Sequence, residues 1–315
     1  MYRIFNIALD SQIPIPELST ADDSKAAKTF TFSLGGQDQS VNSNINWFHD
    51  WFDANGNVSV SAGSLGNIYW LRYLGMVDFE INLNEQSIVA YKHPSTPDNT
   101  IRHILLDQVI PRMLGQQGQF ILHAGAVRLS NSKTVALIGQ SGWGKSTLVS
   151  SLQQQGAELI TDDCLMIKLG SGSVSAVPNY FGLRLFDDSI NAIYGQQQEA
   201  DSVAHYSNKK RLILCGDSHT NAAALNLDAI FLLNKPVDVR KSDEVTVTTA
   251  GGMDVMMALV AQIFMLDIAD KPLLARQFKY ASALLESDVR CFQLDYPRDH
   301  GFLIEVRMAI EQAIK

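Results

Sequence analysis

The chain has 315 residues, 46% of them apolar, with a mean hydropathy near zero, a net charge of −8 and a pI near 5.3. This is an ordinary globular composition, long enough for about two domains. The acidic balance excludes a nucleic-acid partner, which needs a basic footprint, and no apolar run approaches the roughly 18 residues of a membrane helix, so no membrane partner is expected.

The N-terminal stretch Met1–Leu18 lacks a basic segment followed by an apolar core, so no signal peptide is read there and a cytoplasmic location is expected. Residues 1–95 read as a β-rich domain. Tyr2–Leu9, Thr29–Leu34, Val58–Val60, Val77–Leu83 and Ser87–Tyr91 are short β-prone runs. Asn55-Gly56 and Asn84-Glu85 supply turns, and 21–28 and 35–44 are polar loops. His93–Asn99, with two prolines, marks a boundary, so a second domain is expected over 96–315.

Thr100 is positioned to cap a helix reaching Leu114, with Ile101, Ile104, Leu105 and Val109 on one face and Gly115–Gly118 ending it. Strands are expected at Phe120–Val127, Val135–Ile138 and Glu158–Thr161. Further β segments fall at Leu165–Leu169, Val174–Val177, Leu183–Phe186, Ala229–Leu233 and Arg290–Leu294. Helices are expected at about 252–267, 272–286 and 301–314, with Met256–Leu266 a buried helix. Cys164, Cys215 and Cys291 are odd in number and far apart, which reads as reduced thiols rather than a disulfide or zinc framework.

Residues 139–147, Gly-Gln-Ser-Gly-Trp-Gly-Lys-Ser-Thr, form a complete G-x-x-x-x-G-K-[ST] phosphate loop between a strand and a helix. Gly139, Gly142 and Gly144 let backbone N–H groups converge on an anion. Ser141, Trp143 and Thr147 complete the binding segment. The helix contributes its positive N-terminal end. Lys145 reaches the phosphates and the Ser146 hydroxyl suits Mg²⁺. ATP and Mg²⁺ are therefore the expected cofactors.

Such loops need a second carboxylate, and Asp162-Asp163 follows a strand about one crossover downstream. One aspartate can orient the metal, for which Asp162 is the candidate; the other can accept a hydroxyl proton. His123, within Ile121–Val127, reads equally as a core histidine or a functional one. Ala124, Gly125 and Ala126 permit close approach of a backbone or ligand. Arg184, in Pro178–Phe186, either stabilises phosphoryl charge or pairs with Asp187 or Asp188. His205–Arg211 is a basic loop that either binds an anion through Lys210 and Arg211 or is simply solvated.

Leu122–Val127, the loop and Ile160–Cys164 together resemble the catalytic domain of HPr kinase/phosphorylase, which carries a His-Gly pair, this loop and an Asp-Asp pair in the same order. The wider chain resembles a bacterial branch of HPr-kinase-like proteins associated with peptide maturation, including that of lasso peptides. The segments carrying this are 101–114, Ala176–Phe186 and Ala204–Arg211. The resemblance implies an α/β P-loop kinase domain behind the β-rich domain. It implies an ATP-dependent serine kinase in which Lys145 binds phosphates, Ser146 binds Mg²⁺, Asp163 or Asp162 is the base, and His123 assists. The family's Glu-Ile-Arg-Gly-Leu-Gly signature has its nearest match in Asn179–Arg184, without the glutamate, which argues against phosphorylase activity; the N-terminal part does not resemble the family's regulatory domain, and HPr is not the expected substrate. A seryl hydroxyl on a peptide or small protein, such as a lasso precursor, is the expected acceptor, and a homo-oligomer is compatible with the reading.

Three other readings compete. An ABC-type ATPase would need an LSGGQ signature after the loop, whereas Ser33–Gln37 precedes it. A nucleotide-sensing module would not need Asp162-Asp163. A kinase for a small molecule such as free serine remains open.

Overall fold

The computed structural model describes residues 1–20, 28–36, 44–53, 55–170, 172–180, 182–195, 198, 200–212, 224–236 and 244–315. Cys215, Phe181, Gln37 and most of the two N-terminal polar loops lie outside the described residues. The chain divides into two compact units. The first comprises Met1–Gly118, Ser202–Asn208 and Phe264–Leu274; the second comprises Gln119–Asp201, Lys209–Ile263 and Ala275–Lys315. The first unit thus extends past the proline boundary at 93–99 and takes in two later segments.

In the first unit, eight strands form one sheet: Tyr2–Ile4 (β1), Ile7–Ser11 (β2), Thr29–Leu34 (β3), Asn46–Phe52 (β4), Val58–Leu65 (β5), Ile68–Tyr73 (β6), Val77–Asn82 (β7) and Ser87–Lys92 (β8). Their order is β1-β2-β3-β8-β7-β6-β5-β4. Period-two burial fixes the register: Val77, Phe79 and Ile81 of β7 and Ile88 and Ala90 of β8 are buried and their neighbours are not.

The helix after this sheet differs from expectation at its N-terminal end. It starts at Asp98 (α1, Asp98–Ile104), passes through a π-helical turn, Leu105–Val109, and continues as α2 (Ile110–Gln116). Thr100 is not its cap: the N-cap is Pro97, and the Thr100 hydroxyl instead pairs with His205 Nδ1 at 2.9 Å and accepts the His205 N–H at 3.0 Å. The helix ends within 115–118, as expected, and Gly115 itself belongs to its last turn. It lies inside α2, where a Cβ would collide with the Phe264 carbonyl oxygen. The absence of a side chain, not flexibility, is what that position uses.

The second unit is built on a nine-stranded sheet. From residue 119 on, the elements in chain order are Phe120–Arg128 (β9), Thr134–Ile138 (β10), Lys145–Gln154 (α3), Glu158–Thr161 (β11), Cys164–Gly170 (β12), Ser173–Val177 (β13), Leu183–Leu185 (β14), Asp187–Tyr194 (α4), Asp201–Ser202 (β15), Lys210–Leu212 (β16), Leu225–Asn226 (β17), Ala229–Leu233 (β18), Thr246–Thr249 (β19), Gly252–Ala261 (α5), Lys271–Leu285 (α6), Arg290–Asp295 (β20) and Leu303–Ala313 (α7). The sheet order is β17-β13-β12-β9-β10-β18-β20-β19, with β11 also pairing with β9. The centre, β10-β18-β20, is parallel, and β9 runs antiparallel to β10.

Alternation along these strands feeds two cores. Val135, Leu137, Phe231 and Leu233 pack on one face with Leu148, Val149 and Leu152 of α3 and with Val306 and Ile310 of α7. Ala136, Ile138, Ile230 and Leu232 pack on the other with Val255 and Leu259 of α5 and with Ala281 and Leu284 of α6. Strands buried on both faces read as continuous apolar runs, and Thr134–Ile138 and Ala229–Leu233 are buried throughout. The second unit is therefore an α/β three-layer arrangement, with the C-terminal ends of the parallel strands as the expected ligand edge.

Candidate active site

The phosphate loop leaves β10 at that edge. Gly139 is pressed against Leu233 and Trp143, where a Cβ would stand 3.2 and 3.3 Å from their carbons. Gly142 and Gly144 adopt φ of +81° and +91°, the left-handed region that glycine occupies without strain. Ser141 is exposed, while Trp143, Ser146 and Thr147 are half-buried. Gly144 is the N-cap of α3, so Lys145 and Ser146 occupy its first turn, at the positive end of its dipole.

Lys145 is buried, and its Nζ donates to the Gly139 and Gln140 carbonyls at 2.7 and 3.1 Å. Burial pulls its pKa down to about 8, opposed by the charges of Asp163 and Asp162. Those two aspartates form the turn between β11 and β12. The Asp163 carbonyl accepts the Ala124 N–H at 3.1 Å, which locks the turn to β9. Gly125 makes this possible: a Cβ there would lie 2.6 Å from Val149 Cγ2 and 3.2 Å from the Asp162 carbonyl oxygen. The small residues of β9 thus let both α3 and the aspartate turn approach.

The two carboxylates have different surroundings. Asp162 is fully buried; its Oδ2 accepts the Arg184 N–H at 2.9 Å, and its Oδ1 has no hydrogen-bond partner among the described residues. Burial, and then the Asp163 charge, raises its pKa to about 6 against the pull of Arg184. Asp163 retains 17% side-chain exposure. It lies 3.3 Å from Arg184 Nη1 and 3.8 Å from His123 Nδ1. His123 faces the α3 side of the sheet because Leu122 and Ala124 face the other. Burial pushes its imidazole down to about 4, opposed by Asp163, so it is neutral at ordinary pH.

Arg184, on β14, sits directly opposite Arg211 on β16, so both side chains share a face. Both are buried, at 3% and 6% exposure. Arg184 pairs with Asp162 and Asp163, a partnership that neither of its sequence readings named. Lys210 points elsewhere and forms an exposed pair with Asp187 at 2.7 Å, at the start of α4. Its neighbour Lys209 lies near enough for its charge to depress both His123 and Lys145. The structure thus gathers His123, Lys145, Asp162, Asp163, Arg184 and Lys209 at one edge.

Several contributors had no sequence signal. Thr147 Oγ1 bonds Ser189 Oγ at 3.2 Å, joining the loop helix to α4. Arg298 donates to the Trp143 carbonyl of the loop at 3.0 Å. Among the described cysteines, Cys164 is buried opposite His123 in β12, and burial raises the Cys291 thiol to about 11. Among the described residues no helix is long and apolar enough to cross a membrane.

No family model matches the chain, and no curated protein matches it. Among solved structures, it is similar to the Hpr(Ser) kinase/phosphatase from Coxiella burnetii. That match has a TM-score of 0.32 and 10% identity, and covers 61% of this chain and 95% of that one.

Proposed function

We propose that the protein is an ATP-dependent kinase that transfers the γ-phosphoryl group to a serine hydroxyl of a peptide or small protein. The observation that carries this reading is the pairing of a complete phosphate loop with a partly exposed aspartate beside a buried one at the same strand edge. A nucleotide-sensing module would have no use for that carboxylate pair. The basic rim adds to the case.

In this reading, the loop N–H groups and Lys145 bind the phosphates, and Arg184 stabilises charge on the transferred group. Asp163, the more exposed carboxylate, takes the acceptor proton. His123, neutral and 3.8 Å from it, orients it. Asp162 Oδ1, buried and without a partner among the described residues, and Ser146 suit a hard cation or its water, so these residues would hold Mg²⁺. When bound, Mg²⁺ neutralises phosphate charge. Arg211 and Lys209 would receive an acceptor carboxylate or phosphate. A lasso precursor is one acceptor of this kind. The protein would act in the cytoplasm, alone or as a homo-oligomer.

The test is incubation with Mg-ATP and candidate serine peptides, followed by mass spectrometry for phosphate-sized gains. Charge reversal at Lys209 and Arg211 should raise the peptide KM and spare the ATP KM, while reversal at Lys210 should do little. Efficient phosphorylation of free serine with no peptide modified would replace the peptide assignment. ATP hydrolysis indifferent to every acceptor would return the protein to the P-loop ATPases.

A further inference from the structure

The C-terminal end of β20 carries a side chain that the transfer reading does not use. Arg298 donates to three backbone carbonyls: Nε to Trp143 at 3.0 Å, Nη1 to Tyr296 at 2.8 Å and Nη2 to Asn234 at 2.7 Å. Its guanidinium carbon sits 3.8 Å from the centroid of the Tyr296 ring, a stacked cation–π contact. Trp143 belongs to the phosphate loop after β10, Asn234 follows β18, and Tyr296 follows β20. One planar fork therefore ties together the ends of all three parallel strands.

The Trp143 carbonyl is the informative acceptor. A trans peptide is planar, and its C=O and N–H point in opposite directions. The Trp143 carbonyl and the Gly144 N–H belong to one peptide unit. Holding that carbonyl toward Arg298 turns the Gly144 N–H away from Arg298, toward the side where a loop of this form receives an anion. Gly144 is also where the brace touches the loop. Its Cβ position lies 3.4 Å from the Tyr296 hydroxyl and 3.6 Å from Arg298 Cδ, at a φ of +91°.

We propose that Arg298 is a positioning residue for nucleotide binding: it sets the 143–144 peptide so that its N–H donates to a nucleotide phosphate, with Tyr296 fixing the guanidinium plane. This rests on reading Gly139–Thr147 as the nucleotide site. A lysine at 298 cannot replace it, because a single ammonium lacks the fork that spans three carbonyls.

The experiment measures Mg-ADP affinity by calorimetry and the melting temperature of the nucleotide-free protein. It uses wild type, Lys145→Ala, Arg298→Ala and Arg298→Lys. Arg298→Ala should weaken Mg-ADP about ten- to hundredfold, as loss of charge-assisted bonds does. Arg298→Lys should remain weakened. Millimolar guanidinium should restore part of the affinity in Arg298→Ala and none in Lys145→Ala. A staple with no positioning role would lower the melting temperature and leave the affinity of the folded protein within about twofold of wild type, and that result overturns the proposal. If Arg298→Ala does not fold, Arg298→Lys decides by the same threshold. If wild type itself fails to bind Mg-ADP, the nucleotide-site reading falls and takes this proposal with it. Binding lost in Lys145→Ala but kept in both Arg298 variants removes Arg298 alone.

Discussion

A lysine ammonium buried at the start of a helix stays charged only through what surrounds it. Lys145 has two carbonyls and two nearby aspartates, and burial still brings its pKa down to about 8. Below that value the amine is protonated and attracts phosphate; above it, the charge is lost. Apparent affinity for Mg-ATP should therefore weaken as pH rises through about 8, and Lys145→Ala should abolish both turnover and this pH dependence, as titration calorimetry across that range would report. Asp163 is assigned to the acceptor proton. Asp163→Asn should slow phosphoryl transfer by about 10²–10⁴-fold with little change in ATP affinity. An equal loss of nucleotide binding would move Asp163 to a metal or structural role. His123 gives a linked stability signature. The folded imidazole titrates near 4, whereas the ordinary value is 6.5, so the unfolded chain takes up a proton that the folded one refuses. The stability His123 contributes is present above 6.5 and lost as pH falls toward 4. His123→Ala should flatten the fall in melting temperature over that window and slow transfer at neutral pH. A large drop in melting temperature with specific activity preserved would make it a core histidine.

Elements decide which of these residues can meet. Gly125 is the contact point of β9 with α3 and with the aspartate turn. Gly125→Ala places a methyl against Val149 and the Asp162 carbonyl, so about 1–3 kcal/mol of overpacking is expected, with a loss of turnover larger than the fall in melting temperature implies. Normal turnover in that variant would show that the turn tolerates displacement. The phosphate loop was legible in the sequence because its requirements are local: glycines for φ, a lysine and a hydroxyl at fixed spacing, and an apolar strand before them. His123 and Asp162-Asp163 were legible as candidates for the same reason. Arg298 and Tyr296 were not, because their closeness to Trp143 depends on the spatial order β10-β18-β20, which no local pattern encodes. The edge strand β4 escaped notice because its two register shifts break the alternation that would have marked it, and α4 because it spans only eight residues. Thr100 reads as a cap by type, but its hydroxyl is claimed by His205, 105 residues away.

At the scale of the molecule, the chain leaves and re-enters its first unit. Ser202–Asn208 and Phe264–Leu274 group with Met1–Gly118. The Asp267 N–H donates to Gln116 Oε1 at 2.9 Å, and Gln116 Nε2 donates to Asp270 at 3.2 Å. A truncated chain of residues 119–315 would strip Phe264–Leu274 of Gln116 and Ser202–Asn208 of Asn99 and Thr100. Its thermal transition should be broad and low, and its tendency to aggregate high; a sharp, wild-type-like transition on calorimetry would show that the second unit needs nothing from the first. The position of β20 carries a consequence in time. It is last in chain order among the strands, yet it lies inside the sheet between β18 and β19. Sheet closure must wait for it, and long-range parallel pairing is intrinsically slow. A ribosome-bound chain can already display the Gly139–Thr147 segment while Tyr296 and Arg298 are still unmade. Nucleotide competence would then be acquired only once residues 296–298 have been made, so that a chain terminated before them carries the loop without its brace.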